Sequence, residues 1–315
     1  MKKIIITLPC YNEEDTLQKL ADELSKVRSK ISKQYAIDVL FINDGSTDKT
    51  QKIIESLAKK NDFLFYREFA ANAGHQAALR AGIEAGINYD AVIMMDADLQ
   101  HPPEYISTML EIWNKQSVNI VQMIRDDTRQ EAGTVKYITS KGYYWFINKL
   151  SGLNLEYGAS DFRLIDQVVT KEVVGSTEKD LFLRGYFSWI KASRVTVPYK
   201  PAQRFAGSSK YTFKKMLQFA GKGILQFSEK PLRLAVGLGI IMALLSLLYG
   251  IFLIVSYLIG DYAVSGWTSL MSVLLFCFGV NFIVLGLIGI YLSHAIAIGK
   301  KRPQYIIATE KLSKD

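Results

Sequence analysis

The feature that most constrains this chain is a long apolar region in its last third. Residues 234–299 contain no lysine or arginine, and Asp261 is their only acidic residue. Within this region, residues 234–259 and 269–290 are each long enough to span a bilayer, and the short loop DYAVSGW separates them. Soluble helices rarely lack a polar face over such lengths. The pattern therefore predicts two transmembrane helices, with a very apolar soluble hairpin as the alternative.

Basic residues flank the apolar region on both sides, whereas the loop inside it has none. They are Lys210, Lys214, Lys215, Lys222, Lys230 and Arg233 before it, and Lys300, Lys301 and Arg302 after it. By the positive-inside rule, both flanks are predicted to be cytoplasmic. The formal net charge of +8 is therefore assigned largely to the membrane side. No zinc-finger, RNA-binding or basic-zipper pattern supports a nucleic-acid partner.

Residues 1 to about 115 alternate strand-like and helix-like patterns. The stretches IIITLP, IDVLFIND, FLFYREF and AVIMM are typical of strands, and segments with apolar residues at helical spacing separate them. Such alternation predicts an α/β fold with a mostly parallel sheet flanked by helices. The first strand lacks a following G-x-G-x-x-G, and no P-loop motif is present, which disfavours dinucleotide enzymes and P-loop enzymes. Residues from about 116 to 205 show an irregular pattern, rich in basic and aromatic residues.

Three of the predicted strands end in polar motifs. Pro9 to Glu13 follow the first strand, Asn43 to Ser46 the second, and Asp96-Ala97-Asp98 the fourth. In an open α/β sheet the carboxyl ends of parallel strands lie at one edge, which is where ligands bind. Two carboxylates this close repel each other unless a cation lies between them, and hard oxygen ligands suit Mg²⁺ or Mn²⁺. An Asx-rich turn is the alternative for the aspartate pair.

The segment before the apolar region has an amphipathic pattern. Lysines lie among apolar residues that recur at helical spacing. These apolar residues are Phe213, Met216, Leu217, Ala220, Ile224 and Phe227. This pattern predicts a helix lying on the membrane surface, with an ordinary packed surface helix as the alternative. The predicted organisation is a soluble domain over residues 1–209, this helix over 210–230, two membrane spans over 231–299 and a cytoplasmic tail over 300–315.

The motifs of this chain, taken in their order along the sequence, resemble those of inverting nucleotide-sugar glycosyltransferases of the A-type fold. Within that group the chain is most similar to polyprenyl-phosphate glycosyltransferases related to dolichyl-phosphate mannose synthase, over nearly its whole length. The matching motifs are PCYNEE at 9–14, NDGSTD at 43–48, DADLQ at 96–100, SDFRL at 160–164, GSSKY at 207–211 and RPQY at 302–305. Two segments depart from the family pattern. The chain has ANAG at 71–74 where the family often has Arg-Asn-x-Gly, and WIKA at 189–192 where it often has Trp-x-Gly-Phe.

The resemblance implies an integral enzyme of the cytoplasmic membrane. It would transfer one sugar, with inversion, from UDP-glucose or UDP-N-acetylglucosamine to undecaprenyl phosphate, a polyprenyl phosphate. A processive polysaccharide synthase is an alternative, although the chain lacks a Gln-x-x-Arg-Trp motif and the additional spans of a channel. A membrane protein that binds nucleotide sugars without catalysis is a second alternative. A homo-oligomer is left open.

The resemblance and the charge pattern together imply a set of site residues. The catalytic candidates are Asp96, Asp98 and Asp161, of which Asp98, helped by Asp96, would hold Mg²⁺ or Mn²⁺. The nucleotide-sugar candidates are Pro9, Tyr11, Asn12, Glu13, Asp44, Ser46, Asn72 and Asp96. Because donor and acceptor are both anionic, cations are required near the acceptor phosphate. The acceptor-side candidates are Gln100, Arg125, Arg129, Arg204 and Lys210. The alternatives are an Asx turn for Asp44, an ion pair with Arg163 for Asp161, and solvated surface charges for the arginines.

Overall fold

The computed structural model describes residues 1–126, 142, 144–145, 147–178, 181–202, 221, 223–224, 226–259, 266–300 and 302–312. Its strands are β1 (Lys2–Cys10), β2 (Tyr35–Asn43), β3 (Leu64–Phe69), β4 (Ala91–Met94), β5 (Ile120–Arg125), β6 (Ala159–Asp166), β7 (Arg194–Tyr199) and β8 (Ile307–Lys311). Its helices are α1 (Leu17–Ile31), α2 (Thr50–Lys60), α3 (His75–Ala85), α4 (Tyr105–Gln116), α5 (Gln167–Gly175), α6 (Leu183–Trp189), α7 (Lys230–Ile259) and α8 (Trp267–Gly299).

The strands form one sheet in the order β7-β5-β6-β4-β1-β2-β3-β8. The four central strands, β4, β1, β2 and β3, are parallel to one another. Strand β6 runs antiparallel to both β4 and β5, and β8 runs antiparallel to β3. The predicted α/β fold with a mostly parallel sheet flanked by helices is therefore confirmed.

The apolar pattern explains why the first half of the chain folds in this way. Strand β1 is buried from Ile4 to Cys10 because it has a neighbour on each side and helices on both faces. One apolar cluster joins β1 to the buried stripes of α1, α2 and α4, and a second cluster joins the other face of the sheet to α3, α5 and α6. The strands bury side chains on both faces of the sheet, and the apolar stripe of each helix, which repeats every 3.6 residues, packs against one of these faces.

The region from 116 to 205, which has an irregular sequence pattern, contains three strands that the pattern does not predict. Strands β5, β6 and β7 all fall in this region. Their apolar alternation is interrupted by polar residues that are nevertheless buried, such as Gln122, Asp161 and Arg163. Hydrogen bonds offset their desolvation: Gln122 Nε2 donates to the Ser160 carbonyl over 2.8 Å. A strand that buries satisfied polar groups gives no clear hydrophobic signal.

The two apolar helices, α7 and α8, follow the α/β domain along the chain. The windows Lys230–Phe252 and Phe276–Gly299 are long and apolar enough to cross a membrane, and 0% of either window is buried within the described part of the chain. Helix α8 contacts the segment before α7 through a hydrogen bond that the Tyr291 hydroxyl donates to the Ser228 carbonyl over 2.7 Å. The two predicted apolar helices are therefore confirmed. The predicted amphipathic helix lies mostly outside the described residues, which include only 221, 223, 224 and 226–230 of it.

The segment after α8 returns to the sheet. Strand β8 pairs antiparallel with β3, and the Ala70 amide donates to the Ile306 carbonyl over 2.9 Å just beyond it. The Tyr305 ring stacks on Phe69 with centroids 4.4 Å apart. The tail that follows the second apolar helix thus covers the β3 edge of the sheet, which the alternation of the first 115 residues does not predict.

Candidate active site

The loops that follow β1, β2 and β4 lie at one edge of the sheet. Cys10, the last residue of β1, pairs with Asn43, the last residue of β2. Met94, the last residue of β4, pairs with Thr7 of β1. Because the strands are parallel, their carboxyl ends point the same way. The structure therefore brings together the three polar motifs that follow these strands.

Asn12 and Ser46 join the first two of these loops. The Asn12 amide donates to Ser46 Oγ over 3.0 Å, and the Thr47 amide donates to Asn12 Oδ1 over 2.9 Å. Asn12 adopts a φ of 55°, a left-handed conformation that asparagine tolerates better than most residues. Both side chains therefore shape the loop pair. Tyr11, at the same edge, is 39% exposed.

Pro9 and Glu13, two other nucleotide-sugar candidates, lie in the same loop. Pro9 is buried in the last part of β1, whereas Glu13 is partly exposed. The Glu13 amide donates to Thr50 Oγ1 over 2.9 Å, which fixes the loop against the start of α2. Of the two, Glu13 is the one with surface available to a ligand.

Asp44 is buried beneath the loop that follows β3. Its carboxylate accepts hydrogen bonds from the Ala73 amide (2.7 Å) and the Gly74 amide (3.0 Å), and its carbonyl accepts one from Asn72 Nδ2 (3.1 Å). Burial raises the pKa of Asp44, although the two amides oppose the shift. Gly45 has a φ of 64°, and a Cβ there would lie 2.6 Å from the Asn72 amide nitrogen. Asp44 and Asn72 thus clamp the second motif to the 71–74 loop.

Asp96 and Asp98 occupy a tight turn after β4. The Gln100 amide and Gln100 Nε2 donate to the two oxygens of Asp98 over 3.0 and 2.8 Å. Leu99 adopts a φ of 62°, which turns the chain sharply after Asp98. Asp96 keeps 33% of its side chain exposed, and Asp98 is also partly exposed. Both carboxylates can therefore be reached from the sheet edge.

The buried His101 holds the backbone of this turn. Its ring is 4% exposed and stacks on Phe162 with centroids 4.9 Å apart. The Asp96 amide donates to His101 Nδ1 over 2.8 Å, so Nδ1 is an acceptor and a neutral ring carries its proton on Nε2. Nε2 lies 3.7 Å from Asp96 Oδ2. Burial lowers the pKa of His101, despite the carboxylates nearby, which favours this neutral form.

Asp161 is buried in β6 and surrounded by cations. Arg184 Nε lies 2.9 Å from Asp161 Oδ1, and Arg184 Nη2 lies 2.7 Å from Oδ2. Arg163 Nη2 lies 3.5 Å from Oδ1. Burial alone would raise the pKa of Asp161, but Arg184 and His75 hold it well below its usual range. The carboxylate is therefore ionised, and its closest cation is Arg184 rather than Arg163.

His75 lies between the aspartate turn and Asp161. Its Nε2 is 3.2 Å from Asp161 Oδ2 and 3.6 Å from Asp96 Oδ1, and 40% of its side chain is exposed. Desolvation opposes protonation of the ring, but the hydrogen bond to Asp161 and the charge of Asp96 raise the pKa of His75. A single imidazole thus connects the carboxylate of Asp96, in the turn after β4, with that of Asp161 in β6.

Two of the five acceptor-side candidates lie among the described residues. Arg125 Nη1 lies 3.4 Å from Gln100 Oε1, and Gln100 in turn holds Asp98. This chain of contacts places a partly exposed guanidinium beside the aspartate turn. Arg129, Arg204 and Lys210 lie outside the described residues.

The aspartate turn fits a divalent cation that is shared with a ligand. Among the described residues, no three His, Cys, Asp or Glu side chains are grouped as a complete metal cage. Mg²⁺ is, however, commonly held by one or two carboxylates, with water and substrate phosphates as the other ligands. Asp96 Oδ1 is a buried oxygen to which no described residue donates a hydrogen bond, which leaves its lone pairs available to a cation. The donor set of Asp96 and Asp98 thus suits Mg²⁺ or Mn²⁺.

Sequence reasoning missed His75, His101 and Arg184 as members of the site. His101 directly follows the aspartate motif, so its position was a usable signal. His75 and Arg184 belong to α3 and α6, which carry none of the three strand-end motifs. They join the site only because the helices pack beside β6 and β4.

Comparison with known proteins gives a consistent match along the chain. Residues 5–174 match the family described as Glycosyl transferase family 2. The bactoprenol glucosyl transferase of Shigella phage SfV is 35% identical over 309 residues, which cover 98% of this chain and 99% of that protein. The prophage bactoprenol glucosyl transferase homolog of Escherichia coli (strain K12) is 34% identical over 312 residues, covering 98% and 99%. The uncharacterized glycosyltransferase YkcC of Bacillus subtilis (strain 168) is 34% identical over 302 residues, covering 96% and 92%.

Among solved structures, the mannosyltransferase PcManGT from Pyrobaculum calidifontis, in complex with GDP-Man and Mn²⁺, aligns with a TM-score of 0.48 and 15% identity. The alignment covers 74% of this chain and 64% of that one. This likeness is too distant for individual site residues to be compared. The family match over residues 5–174 and the near full-length relatives settle the classification: the chain belongs to glycosyl transferase family 2.

Proposed function

We propose that this protein transfers a single glucose from UDP-glucose to a polyprenyl phosphate, such as undecaprenyl phosphate, at the cytoplasmic face of the membrane. The observation that carries the proposal is the meeting of Asp96, Asp98 and Asp161 at one sheet edge of a chain that also has two apolar helices. Relatives that match nearly the whole chain are named bactoprenol glucosyl transferases, which favours glucose over N-acetylglucosamine. Both flanks of the hairpin are basic, which favours the cytoplasmic face.

The reaction we propose is a direct displacement with inversion. An oxygen of the acceptor phosphate forms a bond to the anomeric carbon while the bond from that carbon to the donor diphosphate breaks. A phosphate monoester has a second pKa of about 6, so it is largely ionised near neutral pH and needs no strong base. Asp161, which Arg184 and His75 keep ionised, would then orient the sugar and steer it for attack.

Asp98 and Asp96 are the residues that would hold Mg²⁺ or Mn²⁺. A bound divalent ion supplies charge neutralisation at the leaving diphosphate. Within the chain, Gln100 fixes the orientation of Asp98, and His101 fixes the backbone of Asp96. Arg125 beside Gln100 would face the incoming acceptor phosphate.

The donor nucleotide would lie over the loops after β1 and β2. Tyr11 and Glu13 offer accessible surface there, and Pro9, Asn12, Asp44, Ser46 and Asn72 would maintain its shape. Because Asp44 is already bonded to two backbone amides, we assign it to the wall of the nucleotide site.

The test is transfer of labelled sugar from UDP-glucose into an organic-extractable product by the purified full chain with undecaprenyl phosphate. UDP-N-acetylglucosamine and UDP-galactose serve as competing donors, and a chelator arm tests the metal. We expect a lipid-linked monosaccharide whose formation stops on chelation. Polymer formed without added lipid phosphate would instead indicate a processive synthase, and donor binding without transfer would indicate a non-catalytic binder.

A further inference from the structure

Arg184 and Asp161 make the closest ion pair of the site. The guanidinium forms a fork, with Nε 2.9 Å from one carboxylate oxygen and Nη2 2.7 Å from the other. Asp161 is 4% exposed on its side chain and Arg184 29%. Two parallel hydrogen bonds fix the plane of a carboxylate as well as its charge. Arg184 therefore determines which way Asp161 faces.

Arg163, a second cation near this carboxylate, makes its closer contacts with other groups. Arg163 Nη2 donates to the Ser160 carbonyl over 2.9 Å, and its guanidinium lies over the Phe187 ring at 4.6 Å. Its distance of 3.5 Å from Asp161 Oδ1 makes it a weaker partner than Arg184. His75 contacts Asp161 through a single nitrogen, which does not set the carboxylate plane.

Helix α6, which carries Arg184, is held at its start from two directions. The Leu183 amide donates to Gln76 Oε1 of α3 over 3.1 Å. The Phe182 amide donates to Gln226 Oε1 over 2.9 Å, and Gln226 belongs to the helical segment that leads into α7. The position of Arg184 thus depends both on the soluble domain and on the segment next to the apolar hairpin.

Gly185 allows α6 to lie close against that segment. A Cβ at this position would come within 2.8 Å of Phe227 Cε2 and 2.5 Å of Phe182 Cδ1. Phe227 also packs against the apolar cluster that contains Leu183 and Phe187. A Cβ at residue 185 would displace the Phe182 or Phe227 ring and would disturb the contact between α6 and the pre-hairpin segment.

We propose that Arg184 is a positioning residue that acts through Asp161, and that docking of α6 on the segment before α7 sets its place. This inference rests on the proposed transfer to a lipid phosphate. Asp161 would meet the sugar at a fixed angle only when α6 is seated beside the entry to the membrane hairpin. The arrangement would keep the acceptor-side carboxylate in register with a phosphate that arrives from the lipid surface.

The experiment compares Arg184→Gln, Arg184→Lys, Asp161→Asn and the double variant Asp161→Asn/Arg184→Gln in the full chain. Transfer kinetics are measured with UDP-glucose and undecaprenyl phosphate, together with thermal unfolding. We expect Arg184→Gln to lower kcat about 100-fold while the KM for UDP-glucose changes less than about twofold. Arg184→Lys, which keeps the charge without the fork, should retain an intermediate kcat.

The double variant tests whether Arg184 acts through Asp161. If it does, adding Arg184→Gln to Asp161→Asn should lower kcat by less than about threefold more, because the two effects share one contact. This variant also removes the buried carboxylate that, without its closest ion-pair partner, would destabilise the single Arg184→Gln protein. Full additivity of the two losses would overturn the proposal.

Arg194 supplies a matched control at the other end of the same helix. Its Nη2 donates to the carbonyls of Phe187 and Ile190 at the end of α6. Arg194→Gln therefore removes an arginine contact from α6 while the contacts that seat the start of the helix, Leu183 with Gln76 and Phe182 with Gln226, stay in place. A kcat loss in Arg194→Gln equal to that of Arg184→Gln would show that Arg184 is merely structural. Gly185→Ala should reproduce the kcat loss with an unchanged donor KM, whereas Gly175→Ala, with open space around residue 175, should not.

The two hypotheses fail in different ways. A wild-type protein that folds and binds UDP-glucose but transfers no sugar to undecaprenyl phosphate would overturn the proposed function, and the role of Arg184 with it. An active wild-type protein in which Arg184→Gln raises the UDP-glucose KM in step with the loss of kcat would overturn only the role of Arg184.

Discussion

Arg67 Nε lies 2.9 Å from Glu310 Oε2, although 243 residues and both apolar helices separate the two along the chain. The pair joins β3 to β8, and the neighbouring Thr309 hydroxyl donates to Glu68 Oε2 over 2.9 Å. Strand β3 leads into the loop that holds Asp44 and then into α3 with His75. The tail after the hairpin is therefore attached to the element that supports two parts of the site.

Replacing Tyr305 by alanine should destabilise the protein by about 2 kcal/mol. The change removes the ring that stacks on Phe69 and the hydroxyl that donates to Glu84. Thermal or denaturant unfolding in detergent measures the effect. Ile306→Ala is the matched control, since Ile306 is 68% exposed and its loss should change stability by less than about 0.5 kcal/mol. Equal stability of the two variants would show that the tail packs only loosely.

Gly45→Ala should lower both stability and affinity for UDP-glucose. The new Cβ would lie 2.6 Å from the Asn72 amide nitrogen and 2.7 Å from the Ala71 carbonyl carbon, and backbone atoms cannot move aside cheaply. The φ of 64° adds strain, so we expect a loss of about 2 kcal/mol or more. Unfolding and nucleotide-sugar titration measure the two effects. Gly175→Ala serves as the control. An unchanged affinity of Gly45→Ala for UDP-glucose would show that the contact between the Asp44 loop and the 71–74 loop does not shape the nucleotide site.

Asp98→Ala should reduce sugar transfer by about 100-fold or more while the protein still folds. The variant removes one of the two carboxylates that would hold the divalent cation. It also removes the acceptor of both Gln100 hydrogen bonds. Transfer assays with and without chelator measure the loss, and circular dichroism checks the fold. The exposed Asp22→Ala on α1 is the control. Activity that survives either Asp98→Ala or chelation would contradict the assignment of the metal.

Asp161 should make stability depend on pH in the acidic range. Burial opposes ionisation, but Arg184 and His75 hold the folded-state pKa of Asp161 well below the unfolded value of about 3.9. A depressed carboxyl pKa contributes stability that is present above the unfolded pKa and is lost as the pH falls toward the folded pKa. Wild-type protein should therefore exceed Asp161→Asn in stability at pH 6, and the difference should shrink below about pH 4.

Denaturant midpoints at a series of pH values test this prediction. Asp22→Asn is the control because Asp22 is exposed on α1, and its difference from wild type should stay constant. A difference for Asp161→Asn that is the same at pH 6 and pH 3.5 would contradict the ionised, paired state of Asp161.

The parts of the fold that follow from local pattern were predictable. Strands β1 to β4 are short apolar runs between helices, and α7 and α8 are long apolar stretches, so each carries its own signal. The turn with Asp96 and Asp98 is equally local, since it follows β4 directly. These elements bring the first three motifs to one edge by topology alone.

The remaining parts depend on contacts between distant segments. Strand β6 buries Asp161 and Arg163, whose polar character masks the strand until their partners are known. Strand β8 consists largely of exposed residues and forms only because β3 offers an edge. Arg184 reaches the site because α6 docks on α3 and on the segment before α7. No period in the sequence reports such packing.

The return of β8 to the sheet also fixes an order of assembly during synthesis. The ribosome makes β1 to β7 first, then α7 and α8, and only afterwards the residues that pair with β3. Until then the β3 edge has unpaired backbone groups, which are prone to wrong pairing with other chains. The nascent domain can complete its sheet only after both apolar helices have left the ribosome, so synthesis of the hairpin precedes the final closure of the sheet.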